Sequence, residues 1–193
     1  MKRTHPTRAV RLVAALALPV ALVALPWSHS ARAQSRQVMI QSLSFKPTAP
    51  SMKQIKERLY HTVEIGLPGI RIHFRLAGKP LTIQDGRGTG TLTAALGTRA
   101  PAADGEGQVV FFWHGNRFNS QSAGYETAQV DRLASPGAGT FVVTYSRFKK
   151  SDPACCPTLP PLKVTYGWSG HLLISNGVPP KGHGKPVKVT YQP

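Results

Sequence analysis

The sequence predicts an α+β fold that is mainly β, an antiparallel sheet or sandwich with one short helix packed on it. Two patterns lead to this prediction. Beyond residue 69, apolar and polar side chains alternate in several short segments, which is the period of a half-buried strand. Only residues 51–62 carry apolar side chains at helical spacing. A sheet with a single helix on it satisfies both patterns.

The first 33 residues have the three parts of a secretory signal peptide. A basic start is followed by an uncharged apolar run over residues 12–25, and small residues precede a predicted cleavage between Ala33 and Gln34. The apolar run is shorter than the roughly 20 residues that a membrane span needs, so an uncleaved anchor is the less favoured alternative. We therefore expect export, with residues 34–193 as a single β-rich domain and no transmembrane span after cleavage.

The helix is predicted in the first half of this domain, residues 34–107, after a strand over residues 38–45. Ser51 and Gln54 stand at the spacing of a capping box, which predicts the start of the helix. Its narrow apolar stripe consists of Met52, Ile55 and Leu59.

Most strands are predicted from alternation, and the second half of the domain, residues 108–193, reads as a β-meander. Gly115 and Asn116 form a two-residue turn signal inside it. A polar stretch over residues 98–107 is the best internal boundary, and a proline-rich connector is expected over residues 153–161. The predicted strands cover residues 70–76, 81–83, 91–96, 109–114, 141–148, 164–168, 172–174 and 187–191.

The charge of the exported part is strongly positive. Residues 34–193 keep 19 of the 24 Lys and Arg residues and all 8 acidic residues, a formal charge of +11. Outside the cytoplasm this charge favours an anionic envelope polymer or another envelope protein as partner. The equally favoured alternative is that the charge mainly keeps the protein soluble. We expect no specific nucleic-acid partner, no cofactor and no bound metal, and the sequence leaves the oligomeric state open.

Two sets of side chains are candidates for ligand binding. Arg71, His73 and Arg75 would line one side of a strand about 6–7 Å apart, where they could bind a polyanion or simply form a solvated face. Aromatic side chains at strand spacing belong either to the core or to a ligand platform beside Lys163. These aromatic residues are Phe111, Trp113, Tyr145, Tyr166 and Trp168.

The two cysteines, Cys155 and Cys156, are adjacent. A lone pair in an oxidising compartment normally forms a disulfide, but neighbouring Cα atoms lie only about 3.8 Å apart, below the usual range. The pair could be a redox switch, a Cu(I) site or a link to another chain. An ordered turn without any turnover is the plain alternative.

Four segments between residues 108 and 170 form a distinctive set. They read VFFWHGNRF at 110–118, VTY at 143–145, DPACCPT at 152–158 and VTYGWSG at 164–170. Together they resemble the LppP/LprE family of bacterial envelope proteins, and the Asp-Pro-x-Cys-Cys-Pro core is the most specific part. The resemblance implies an exported envelope protein without an assigned biochemical activity. Members are typically lipoproteins, whereas no cysteine follows the apolar run here, so we expect a soluble periplasmic or secreted chain.

No set of residues predicts catalysis. Ser169 and His171 stand on a predicted turn and lack the glycine pattern of a nucleophile elbow. The glycine-rich residues 86–90 lack the flanking strand and helix of a dinucleotide site. We therefore expect a non-enzymatic binding or structural domain. A redox or soft-metal protein that uses Cys155 and Cys156 is the alternative, and a hydrolase is the weakest reading.

Overall fold

Antiparallel strands make up most of the structure, a computed structural model that describes residues 48–65, 71–100, 107–182 and 187–193. All of these residues belong to one compact unit, Leu43–Pro193. The predicted mainly-β class with a single short helix is confirmed for them. The signal peptide, the cleavage site at Ala33 and Gln34, and the strand over residues 38–45 lie outside the described residues. No described helix has the length and apolar character that crossing a membrane requires.

The strands form two sheets. In chain order the elements are α1 Met52–Tyr60, β1 Thr62–Ile65, β2 His73–Leu76, β3 Leu81–Gln84, β4 Thr91–Ala100, β5 Gln108–His114, β6 Arg117–Gln121, β7 Val130–Gly137, β8 Thr140–Arg147, β9 Leu159–Trp168, β10 Leu173–Ser175 and β11 Lys188–Tyr191. The first sheet has seven strands in the order β11-β1-β2-β4-β5-β6, with β3 also paired to β4. The second sheet has four strands in the order β10-β9-β8-β7.

Strand β5 lies between β4 and the edge strand β6, and it is covered on both faces. Val110 and Phe112 point to the second sheet, where the Phe112 ring lies 4.8 Å from that of Tyr166. Phe111 and Trp113 point to the opposite face, into a cluster with the helix. In a strand that is buried on both faces, apolar side chains do not alternate with polar ones. This explains the unbroken apolar run from which the strand was predicted.

Helix α1 begins where the capping box predicts. The Ser51 hydroxyl accepts a hydrogen bond from the backbone N–H of Gln54, and the Gln54 side chain accepts one from the backbone N–H of Ser51 at 2.8 Å. Ile55 and Leu59 are buried, as predicted, but Met52 is 47% exposed. The expectation that Met52 belongs to the apolar stripe is wrong, because it lies in the first turn and the packed part of the helix starts at Ile55.

An arginine fastens the helix to two strands of the first sheet. The guanidinium carbon of Arg58 lies 3.6 Å from the ring centre of Phe118 on β6 and 3.7 Å from that of Tyr191 on β11. Both contacts are of cation–π type, in which the ring faces attract the positive charge. The helix is therefore held by this contact as well as by its two buried apolar residues.

Several boundaries differ from the predicted ones. The sequence missed β1, whose first three residues are all buried and so do not alternate. It also missed β7, which has few large apolar residues and contains Pro136.

Two predicted connecting segments also overlap strands. The predicted boundary over residues 98–107 starts too early, because β4 continues to Ala100. The connector over residues 153–161 also extends too far, because β9 begins at Leu159. Pro160 and Pro161 fit near the start of β9, because β10 pairs only with the end of that strand, residues 166–168. Among the described strands, none pairs with β9 on this side at the two prolines.

One glycine in the first sheet is required by close packing. A Cβ added to Gly97 on β4 would lie 2.7 Å from Cε2 of Phe111 and 3.2 Å from Cδ2 of Leu59. No side chain fits between the strand and these two groups, so the glycine allows the helix and the Phe111 ring to pack closely on the sheet.

We expect Gly97→Ala to destabilise the protein by about 1–3 kcal/mol, the usual effect of overpacking a core. Gly167→Ala is the matched control, since Gly167 also lies in a strand but has nothing within 4 Å of an added Cβ. Urea unfolding of the two variants measures the difference. Equal unfolding midpoints would show that the Phe111 ring moves aside without loss.

Candidate functional site

A cleft of about 300 Å³ opens where the β5–β6 hairpin meets the end of β9. The first sheet contributes the hairpin, and the second sheet contributes the last residue of β9 and the turn that follows it. We call it the His114 cleft. Its lining residues are His114, Arg117, Phe118, Asn119, Trp168, Gly170 and His171.

A carboxylate, an imidazole and an indole are arranged in sequence at the base of the cleft. Oδ2 of Asp85 lies 3.1 Å from Nε2 of His114, and the carboxylate side chain is fully buried. The His114 ring stacks on the Trp168 ring with 4.5 Å between ring centres and 23° between ring planes. Asp85 therefore fixes the orientation of His114, and His114 in turn covers one face of Trp168.

The same carboxylate organises the glycine-rich loop that follows β3. Oδ1 of Asp85 accepts hydrogen bonds from the backbone N–H groups of Arg87 at 2.9 Å and Thr89 at 3.3 Å, and the Thr89 hydroxyl donates to Oδ2. Burial alone would raise the pKa of Asp85, but these bonds and the one from His114 outweigh it and lower the pKa to about 2. The amides of Arg87 and Thr89 thus bind a protein carboxylate, which leaves these two unavailable to a nucleotide phosphate.

The turn between β7 and β8 joins the two sheets at this point. The backbone N–H of Gly139 donates to the carbonyl of Gln84 at 2.8 Å, and its carbonyl accepts from the N–H of Trp168 at 2.8 Å. The base of the cleft is therefore a hydrogen-bonded junction between the sheets, which keeps its geometry fixed.

The open side of the cleft is positively charged. The Arg87 guanidinium packs against Gly170, where an added Cβ would lie 3.1 Å from Nη1. Arg117 begins β6, and its side chain is exposed. Within the described part of the chain, no carboxylate lies within 4.0 Å of either guanidinium. These two charges are available to an anion.

Two further polar groups of the cleft have different roles. Asn119 donates to the carbonyl of His171 at 3.1 Å and accepts from the N–H of Leu173 at 3.4 Å, so it holds the turn that precedes β10. The indole Nε1–H of Trp168 is buried and has no hydrogen-bond partner among the residues that the structure describes. Buried donors are normally satisfied, so this unpaired N–H is an exception to the usual pattern.

The predicted anion-binding residues lie away from this cleft. Arg71 precedes β2, and His73 and Arg75 are on β2. The His73 ring stacks on the Tyr60 ring at 4.3 Å with 5° between planes, while Arg75 borders a separate groove with Tyr60. Anion binding by these three residues stays a prediction.

The cysteine pair lies in an exposed loop between β8 and β9, and the structure joins Cys155 to Cys156 in a disulfide. Asp152 holds this loop. Its Oδ2 accepts from the N–H groups of Lys149 at 2.7 Å and Thr158 at 3.0 Å, and Oδ1 accepts from the Thr158 hydroxyl at 2.9 Å. Desolvation opposes ionisation of Asp152, but the hydrogen bonds prevail and lower its pKa. Among the described residues, no group of three or more His, Cys, Asp or Glu could hold a metal ion.

A His–Asp pair is also the arrangement that activates a nucleophile. The nearby hydroxyl that the sequence pointed to, Ser169, donates to the carbonyl of Leu172 at 2.9 Å and accepts from its N–H at 3.1 Å, so it stabilises a turn. In the described chain no hydrogen bond joins His114 to a hydroxyl or a thiol. Ser169 is therefore bonded within its own turn and not to the His114–Asp85 pair.

We expect Asp85→Asn to destabilise the protein by about 1–3 kcal/mol at pH 7, because several donors lose a charged acceptor. The pKa of Asp85 in the folded protein, about 2, lies below its ordinary value of 3.8. Its contribution is thus complete at neutral pH and is lost as the pH falls from about 4 towards 2.

Urea unfolding at pH 7, 4 and 2.5 checks this expectation. The control is Asp131→Asn. Asp131 is exposed and, among the described residues, accepts a hydrogen bond from Ser146 alone, so its replacement should change stability much less than that of the buried Asp85. The gap in stability between wild type and Asp85→Asn should shrink at low pH. A gap that stays constant over this range would contradict the role of the ionised carboxylate.

For the cysteine loop, we expect Asp152→Ala to lower the melting temperature and to speed up proteolysis more than the double change Cys155→Ser/Cys156→Ser. Asp152 ties together both ends of the loop, whereas a link between adjacent residues closes the shortest possible ring and restricts the unfolded chain little. Thermal unfolding and limited proteolysis, both without reductant, measure the two effects. The reverse order would mean that the disulfide is the main support of the loop.

Comparison with known protein families places the cleft in context. Residues 87–171 match the family model described as LppP/LprE lipoprotein, which is less than half of the 193 residues. The match starts earlier than the motif segments predicted, at Arg87 instead of residue 108. No curated protein and no solved structure matches the chain. All seven residues that line the His114 cleft lie inside the matched stretch. Over residues 87–171 the chain is therefore similar to the LppP/LprE lipoproteins, as its motif residues predicted.

Proposed function

We propose that this chain is a non-enzymatic binding protein of the bacterial cell envelope, and that its His114 cleft binds an anionic polymer of the envelope. The envelope location is supported by the lipoprotein family that residues 87–171 match and by the signal-peptide pattern of the first 33 residues. The observation that carries the binding function is the pair of arginines, Arg87 and Arg117, beside the stacked rings of His114 and Trp168.

The chemistry of the cleft favours an anion with a flat or apolar part. The two guanidinium groups offer planar sets of donors that suit carboxylate and phosphate groups. The rings of His114 and Trp168, which both line the cleft, provide a surface for a flat or apolar part. Asp85 is the acidic group at the base, but its side chain is buried and its oxygens already take hydrogen bonds from the loop and from His114.

The rest of the chain supports the same partner. A formal charge of +11 on residues 34–193 attracts polyanions before they reach the cleft. Because a polymer carries many anionic groups, weak contacts outside the cleft would add to its binding. The disulfide between Cys155 and Cys156 is exposed and lies in a separate loop. No contact of that loop supports the redox or soft-metal alternative.

Titration with two polyanions tests the proposal. Inorganic polyphosphate and poly-L-glutamate of similar length separate phosphate from carboxylate recognition. We expect the double variant Arg87→Gln/Arg117→Gln to bind the preferred polymer at least about tenfold more weakly, a loss of about 1.4 kcal/mol. Added salt should weaken the wild-type complex, because exposed charges are screened.

The control removes the same amount of charge elsewhere. Arg132 and Lys163 are both exposed and flank Thr144 on the outer face of the second sheet. The variant Arg132→Gln/Lys163→Gln should keep most of the affinity. If both double variants lose affinity equally, net charge alone governs binding and the cleft is not the site.

A further inference from the structure

We propose a second binding site, a groove between helix α1 and strand β2 that takes a single-chain amphiphile with an anionic head group. The groove has a volume of about 510 Å³. It lies entirely outside the stretch that matches the lipoprotein family, so this inference stands independently of the His114 cleft. Its lining residues are Lys56, Glu57, Tyr60, His61, Phe74, Arg75 and Leu76.

The walls of the groove are apolar. Phe74 and Leu76 lie on the same face of β2, and Phe74 is almost completely buried beneath the helix. Tyr60, in the last turn of the helix, forms the outer wall and is 57% exposed. An exposed aromatic wall over apolar neighbours is the surface that an alkyl chain can cover with a gain in free energy.

The aromatic wall is held in place before any ligand arrives. The Tyr60 ring stacks on His73, and Nδ1 of His73 is hydrogen-bonded to the backbone carbonyl of Tyr60. His61 packs edge-on against the same ring at 5.5 Å, and its Nδ1 lies 3.1 Å from the carbonyl of Gln192. A ring fixed from two sides loses little freedom on binding, which favours affinity.

The charges at the edge of the groove specify the head group. Lys56 and Arg75 are both exposed there. The acidic neighbour, Glu57, lies 3.8 Å from Nζ of Lys53, so its charge is partly offset by a residue outside the groove. The edge is therefore positive. A polyanion would leave the apolar walls uncovered, and an uncharged chain would leave both cations unmatched, whereas an anionic amphiphile satisfies both features.

The test compares three ligands that share a twelve-carbon chain. Laurate carries an anionic head, dodecyl maltoside an uncharged one and dodecyltrimethylammonium a cationic one. Each is titrated calorimetrically into the purified protein at pH 8, below its micelle concentration. We expect laurate to bind at least about tenfold more tightly than the other two, because only laurate pairs with Lys56 and Arg75.

Variants assign the binding to the groove. Arg75→Gln should weaken laurate binding about fivefold or more and leave dodecyl maltoside unchanged, whereas Tyr60→Ala should weaken both. Lys163→Gln, on the second sheet, is the control for charge and should change neither. The cleft variant Arg87→Gln/Arg117→Gln should keep laurate binding, so failure of the polymer proposal and failure of this one are distinguishable.

Three outcomes would overturn the inference. One is equal affinity for the anionic and cationic amphiphiles, which would mean that the edge charges have no role. Another is laurate binding that survives Tyr60→Ala and Arg75→Gln, which would place the ligand elsewhere. The third is the absence of laurate binding, which would mean that the groove is covered by another segment of this chain or by a second copy.

Discussion

The burial of β5 on both of its faces is the constraint on which the rest of the structure depends. Phe111 and Phe112 point in opposite directions, and neither can be left in water without losing about 1.5–3 kcal/mol of burial free energy. One face therefore requires the helix and the other requires the second sheet. The close approach at Gly97 follows from the same need, because the Phe111 ring has to fit between β4 and Leu59.

The His114 cleft exists because this double burial ends at the last residue of β5. Trp113 is still buried, whereas His114 is partly exposed. A polar ring placed there reaches a carboxylate from the first sheet, Asp85, and an indole from the second sheet, Trp168. The cleft thus lies at the edge of the core. Asp85 and His114 are hydrogen-bonded to each other at its base, and the two arginines lie outside.

The sequence predicted those elements that depend on interactions between residues close together in the chain. The capping box of α1 and the turn of the β5–β6 hairpin depend on neighbouring residues, so the sequence revealed both. Strands β1 and β7 depend on their partners in the sheet, and the buried polar residues of β1 hide its period.

The cleft was missed because it too depends on contacts between residues that are far apart in the chain. Asp85 is 29 residues from His114 in the chain, and one sequence does not report contacts at that separation. One sequence signal could have pointed to Asp85 and His114, because each lies at the end of a strand and directly before a glycine.

The cleft and the groove differ in chemistry but share one structural neighbour. Phe118 lines the cleft, and its ring also contacts Arg58 on the helix whose next turn borders the groove. A ligand that moved Phe118 would therefore disturb the helix, whereas one that bound only the arginines would not. The Arg58 side chain is also held by Tyr191, so the helix keeps one cation–π contact when the other is weakened. This double attachment favours independent occupation of the two sites, with free energies of binding that add.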